Sequence, residues 1–280
     1  MTVRLNILLL MLFTALLFSC KKGSIETNYG PGLQVASDHV MAENAFSRVF
    51  NLFYRVVSDS GLVQTGSANI FAATCTYAED PVISFTIDYG NVFRQCPDRI
   101  KRKGMITAVL DRSFGEQGAE ARLSFTNFEF IDNPDDTVAL SGENLIINLG
   151  ITGTYPTFEH RVISNTLITN DTIDKQPVTY NSQRLIELRS GMETPQVFSD
   201  DLFVMTGEAA GSASNSVVFS SVVEDPLGNY PDCRWLRTGI ISLSMPGLDI
   251  RTGYIHYLGQ DTCLNRVKYL FNGNDFYEEL

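Results

Sequence analysis

The chain reads as an all-β protein, a large antiparallel sheet, meander or β-sandwich, carrying one N-terminal amphipathic helix. Three observations predict this class. About a dozen short runs of alternating apolar and polar residues follow residue 61, separated by Gly, Asn, Asp and Pro groups, as antiparallel strands require. One stretch alone, near residues 46–57, has strong helical periodicity outside the N-terminal leader. Between the strand-like runs no helical pattern occurs, whereas a parallel α/β sheet needs a helix in each crossover.

Taken in order, the chain begins with Arg4, an almost unbroken apolar run from Leu5 to Phe18, and then Leu17-Phe18-Ser19-Cys20. This is the pattern of a lipoprotein signal peptide over residues 1–19, with cleavage before Cys20 and acylation of that cysteine. The run is short for a membrane span, which takes about 20 apolar residues. Each buried methylene of an acyl chain adds about 0.8 kcal/mol, so a multiply acylated Cys20 is an effectively permanent anchor. Residues 20–36, with Gly23, Gly30, Pro31 and Gly32, read as a flexible tether. The body is then residues 37–280, and cleavage leaves about 260 residues, enough for a single domain or two smaller β subdomains.

Ser37 or Asp38 is placed to cap a helix. Phe46, Val49, Phe50, Phe53 and Val57 fall on one helical face, while Glu43, Asn44, Ser47, Arg48, Asn51 and Arg55 take other positions. The expectation is an amphipathic helix that ends near Ser58 and packs on the sheet that follows. Strand-like alternation comes next: Ile83, Phe85, Ile87 and Tyr89 first, then Met105–Leu110, Arg122–Ile131, Thr137–Leu149, Phe158–Thr169, Val178–Leu188, Leu202–Glu208, Ser216–Val223, Trp235–Ser244, Ile250–Leu258 and Arg266–Phe271. Asn133-Pro134-Asp135-Asp136 and Asp225-Pro226-Leu227-Gly228-Asn229 read as turns between them.

Apart from Cys20, the cysteines are Cys75, Cys96, Cys233 and Cys263, an even number that in an exported chain predicts disulfides. Local pairing, Cys75 with Cys96 and Cys233 with Cys263, would staple two similar hairpins. In each, a strand ends in glycine (Tyr89-Gly90, Leu258-Gly259), a cysteine sits in the turn and a basic strand returns. Each closed loop would be worth roughly 3 to 4 kcal/mol.

Composition narrows function more than motifs do. The formal net charge is −11, and the one basic cluster is Lys101-Arg102-Lys103, so nucleic acid is not an expected partner. His39, His160 and His256 show no metal-ligand spacing, there is no Gly-x-Ser-x-Gly elbow, and no calcium-loop motif occurs. Asp132, Asp135 and Asp136, and the pairs Asp200-Asp201 and Glu278-Glu279, read as turn or end residues. No catalytic residue, metal or cofactor is assigned. Trp235, Tyr254 and Tyr257 are the candidate ligand surface, with packing of Trp235 over a disulfide and half-buried cross-strand tyrosines as the structural alternative.

The lipobox, Ala42-Glu43-Asn44-Ala45-Phe46 with Val49-Phe50-Asn51, Ile87-Asp88-Tyr89-Gly90 before Cys96, and Lys103-Gly104-Met105-Ile106 carry a resemblance. So do Phe203-Val204-Met205-Thr206-Gly207, Cys233-Arg234-Trp235, Thr238-Gly239-Ile240-Ile241, Asp261-Thr262-Cys263, Phe271-Asn272-Gly273 and Tyr277. On these motifs the chain resembles uncharacterised lipoproteins of the Bacteroidota. The resemblance implies an envelope address and an all-β fold, and no activity. It also makes Asp136-Thr137-Val138 and Asp171-Thr172-Ile173 similar to that phylum's O-glycan acceptor pattern, at Thr137 and Thr172. Surface lipoproteins there carry acidic residues after the acylated cysteine; Lys21-Lys22-Gly23-Ser24 tilts the expectation to the periplasmic face of the outer membrane rather than the cell surface. The expected role is non-catalytic binding or structure, with a glycan or an envelope protein as partner. An envelope- or glycan-directed hydrolase and a periplasmic carrier of an apolar ligand are the alternatives.

Overall fold

The computed structural model describes residues 28–132, 137–169, 176–194, 197–259 and 263–280. Cys20 with its signal peptide, Asp135, Asp136 and Thr172 lie outside them. Helix α1 spans Gly30–Val57 (28 residues) and a short α2 spans Ser60–Thr65. The strands are β1 (Ser67–Ile70), β2 (Ala73–Ala78), β3 (Ile83–Asp88), β4 (Arg94–Gln95), β5 (Lys101–Leu110), β6 (Glu120–Ile131), β7 (Thr137–Thr152) and β8 (Tyr155–Thr169). Then come β9 (Val178–Ser190), β10 (Leu202–Ser212), β11 (Val218–Asn229), β12 (Thr238–Ser244), β13 (Gly253–Leu258), β14 (Arg266–Phe271) and β15 (Asn274–Glu279). All belong to one 15-stranded antiparallel meander paired in chain order, with only β4 off the path, beside β5. The all-β class with one long helix is the one the alternation predicted.

α1 starts seven residues before the expected boundary at residue 37, inside the stretch read as tether. Pro31 lies in its first turn, where a preset φ suits the helix and the missing N–H has no intrahelical partner to lose. Gly32 is buried against Ile250: a Cβ there would lie 2.4 Å from Ile250 Cδ1, so glycine lets the helix come this close. Asp38 is no cap. It is buried about two turns into the helix, accepting hydrogen bonds from Gln34 Nε2 (2.9 Å) and the Ser214 backbone N–H (2.7 Å).

The helix also lacks the wet face that its pattern predicts. Phe46, Val49, Phe50 and Phe53 are buried, but so are Glu43, Asn44 and Ser47. The sheet curls around α1, so its polar residues meet inward-facing polar groups instead of water. Asp132, after β6, and Arg234, before β12, both reach Arg48, while Glu278 of β15 accepts from Ser37 Oγ (2.9 Å). A lane of half-exposed residues, Gln34, Ser37, Met41, Arg48, Asn51 and Arg55, marks the open side.

Three further expectations are corrected. Asp225-Pro226-Leu227-Gly228-Asn229 is not a turn but the end of β11. The pairing with β12 slips on both sides of Asp225, which tolerates a proline without N–H and still buries Leu227. β12 begins at Thr238, leaving Trp235 in the preceding loop. Of the two predicted disulfides, Cys233–Cys263 is formed (Cα–Cα 5.4 Å), whereas Cys75 and Cys96 are free buried thiols. Cys75 points inward from β2 with Sγ 4.0 Å from the Ile70 carbonyl, and Cys96 Sγ turns back on its own turn, 3.7 Å from the Arg94 carbonyl. Burial pushes the Cys75 thiol up to about 11 and raises that of Cys96. The first hairpin therefore has no staple, and the body does not divide: one apolar cluster runs from Val35 to Phe271 through every part of the sheet.

Candidate ligand-binding site

The three aromatic residues singled out as a surface are not brought together. Side chains alternate along a strand, so Tyr254 and Tyr257, three positions apart on β13, face opposite sides. Tyr257 is buried, and desolvation raises its phenol far above the ordinary value. Tyr254 lies on the outer face beside His256, ring centroids 6.3 Å apart. Trp235 is half-buried in its loop, with the Arg48 and Arg234 guanidiniums 5.2 and 4.8 Å from its ring. Thr137 opens β7 and is half-buried.

Arg48, which lies against the Trp235 ring, also lines the site that the fold does build. At the C-terminal end of α1, residues from five separate segments converge on a cleft: Arg48, Asn51, Leu52 and Arg55 from the helix, Phe71 from the β1–β2 turn, Asp98 and Arg102 around the start of β5, Phe198 from a 3-10 turn (Phe198–Asp200), and Pro231–Cys233 from the disulfide loop. Its inner end, about 30 Å³, has room for a water. Adjoining it and sharing Arg55, Phe71, Asp98, Phe198 and Pro231 is a pocket of about 430 Å³ that adds Pro97, Val197 and Asp232 to the walls. Depressions of comparable size on the outer sheet face are lined mainly by small polar and aliphatic residues such as Ser220, Val222 and Ala210, and hold no aromatic ring against a guanidinium.

The cleft's arginines differ in what holds them. Asp98 grips Arg102 bidentately (2.8 and 2.5 Å) at the bottom of the cleft; burial alone would lower the Arg102 pKa, and these bonds more than offset it. Asp132, expected to be a turn carboxylate, is shared between Arg48 and Arg234 at 2.5 Å each. Arg48 also donates to the Arg234 carbonyl (3.0 Å). Arg55 has neither a hydrogen bond nor an ion pair among the described residues. Its guanidinium sits 5.1 Å from the Phe71 ring and 4.8 Å from that of Phe198, and burial lowers its pKa. Asp201, expected to be solvated, is 4% exposed and pushed up to about 6 by burial and by Asp200.

A second cluster has the look of chemistry and the burial of structure. His39 Nε2 lies 2.7 Å from Ser221 Oγ, and Glu43 stands one helical turn from His39. A serine nucleophile would need access and a carboxylate on the other imidazole nitrogen. Here His39 Nδ1 has no partner, Ser221 is 2% exposed, and the Glu43 carboxylate is committed to Arg184 (3.0 and 2.6 Å) and the Tyr180 hydroxyl (2.5 Å). Burial would raise the Glu43 pKa; Arg184 more than reverses this, to about 2. Burial lowers His39 and the neighbouring His160 to about 4, so both are neutral. The cluster locks helix to sheet.

Compared with known proteins, the chain matches no family model, no curated protein and no solved structure.

Proposed function

We propose that this is a non-catalytic binding protein of the bacterial cell envelope, of the kind the Bacteroidota lipoproteins represent, held on the outer membrane by lipid at Cys20. The cleft at the end of α1 takes part of a glycan or of an envelope protein. The observation that carries the binding role is Arg55, a cation against two aromatic rings at the wall of an open cleft, with no hydrogen bond or ion pair to a carboxylate among the described residues. A net charge of −11 keeps nucleic acid out of the reading. Among the described residues no helix is long and apolar enough to cross a membrane.

The two other readings find less support. A hydrolase needs carboxylates free to act, and Asp98 and Asp132 are both engaged by arginines. A carrier needs space inside the curved sheet, and α1 fills it with Phe46, Phe50 and Phe53. The test is metabolic labelling with an alkyne-palmitate in the native host. The label and the membrane association are expected on the full chain and lost in Cys20→Ala. Unlabelled but membrane-free protein would remove the anchor, and reproducible hydrolysis of glycans or esters abolished by Asp98→Asn or Asp201→Asn would replace binding with catalysis.

A further inference from the structure

We infer that Arg55 is the anion-binding residue of this cleft and that the group it takes is a monocarboxylate on a ligand with an apolar body. The inference rests on the binding role proposed above and names the chemistry of its ligand. Three arginines line the cleft, and two of them are ion-paired within the protein: Arg102 with Asp98, and Arg48 with Asp132, a carboxylate it shares with Arg234. Asp59 and Asp201 act on Arg55 only through space, without an ion pair, and the Asp59 carboxylate accepts the Leu62 N–H as the cap of α2 (2.8 Å). Phe71 and Phe198 cover Arg55, and both are placed by turns rather than strands. Phe71 and Ala72 adopt φ of 53° and 66°, left-handed values that non-glycine residues rarely take. That turn also lays the Phe71 ring 5.5 Å from Arg102.

A guanidinium flanked by rings keeps its N–H edge for a ligand, and that planar fork matches a carboxylate bidentately. The rest of the cleft argues for one negative charge rather than two, because Asp232 lines it and would repel a dianion more strongly than a monoanion. Pro97, Val197, Phe198 and Pro231 supply apolar wall, and about 430 Å³ lies within the range of small-ligand clefts. Sequence-distant positions build all of this, so it has no motif.

The experiment uses the full chain purified in detergent and titrates phenylacetate, phenylacetamide and inorganic phosphate by ligand-observed saturation-transfer NMR and calorimetry. Phenylacetate is expected to saturate, with phenylacetamide and phosphate each weaker by at least about tenfold, since a charge-assisted bidentate pair is lost or mismatched. Arg55→Met, which keeps an apolar stem between the rings, should weaken phenylacetate by a similar factor. Arg55→Lys, which keeps the charge and loses the fork, should also bind more weakly than the parent. Arg122→Met, at an exposed ion pair elsewhere on the sheet, should leave binding unchanged. Circular dichroism of each variant reports that the fold is intact. No saturable phenylacetate binding, equal affinity for acid and amide, tighter phosphate, or an indifferent Arg55→Met would each overturn the assignment. The envelope role stands or falls separately, on the labelling of Cys20 and the absence of turnover.

Discussion

At the scale of single residues, the deepest commitment of the sequence is the ion pair of Glu43 and Arg184, both wholly inside the curl of the sheet. Removing one partner strands the other charge, which costs about 3–5 kcal/mol, while replacing both with apolar groups costs far less than the sum. Arg184→Met and Glu43→Gln should each lower the urea midpoint steeply, and the double variant Glu43→Leu with Arg184→Met should recover part of the loss. Purely additive losses in this cycle would mean that the pair is not coupled. The two neutral histidines beside it give stability a pH dependence. His39 and His160 titrate near 4 when folded and near 6.5 when unfolded, so between these values the unfolded chain binds protons that the folded one refuses. Stability is therefore full above pH 6.5 and declines as pH falls towards 4, by roughly 3 kcal/mol per histidine. Glu43, held to about 2 against an ordinary 4.5, extends the decline below pH 4.5. Urea midpoints at pH 7.5, 5.5 and 4 check this, and a flat profile across that window would contradict the buried neutral histidines.

Between residues and the whole lie the elements, where legibility was uneven for physical reasons. Strands β5 to β14 announce themselves because one face is buried and the other is wet, so Ile106, Ala108 and Leu110 alternate with exposed or half-exposed neighbours. β11 hid its last third, since a proline inside a bulge reads as a turn. α1 hid its start, because Gly30-Pro31-Gly32 signals a break whether a helix is ending or beginning, and hid its enclosure, because polar residues that meet buried partners look the same in sequence as polar residues that meet water. The cleft was illegible altogether: Arg55, Phe71, Asp98, Phe198 and Pro231 share no spacing, and only the curl of the sheet brings them together. One loop among its walls has a staple. Cys233 and Cys263 close 30 residues around β12 and β13, a restriction worth about 3–4 kcal/mol. Ala at both positions should lower stability by about that much, and should loosen Pro231 and Arg234 at the cleft. The parent and the double variant differing by less than about 1 kcal/mol in chemical denaturation would show that the loop is already ordered without its bond.

For the molecule as a whole, the question is whether a 15-stranded meander behaves as one body or as two halves laid side by side. Its local connections favour piecemeal opening, since each strand pairs with its neighbours in sequence. α1 works against this. Within 28 residues it contacts β15 through Ser37, β11 through His39, β9 through Glu43, β8 through Phe50 and the β1–β2 turn through Arg55. No half of the sheet can open without uncovering the same helix, and uncovering it exposes Glu43, His39 and three phenylalanines at once. We therefore expect one cooperative transition, and the chain carries its own reporters in two parts of the sheet far apart in sequence. Cys75 and Cys96 sit at the β2–β4 end as free buried thiols, and Trp235, the single tryptophan, sits before β12. Thiol labelling and tryptophan fluorescence followed through the same urea series should give coincident midpoints. Labelling that precedes the fluorescence change by a resolvable interval would mean that β1–β4 open as an independent unit, and that the helix holds the far side of the sheet more firmly than the near one.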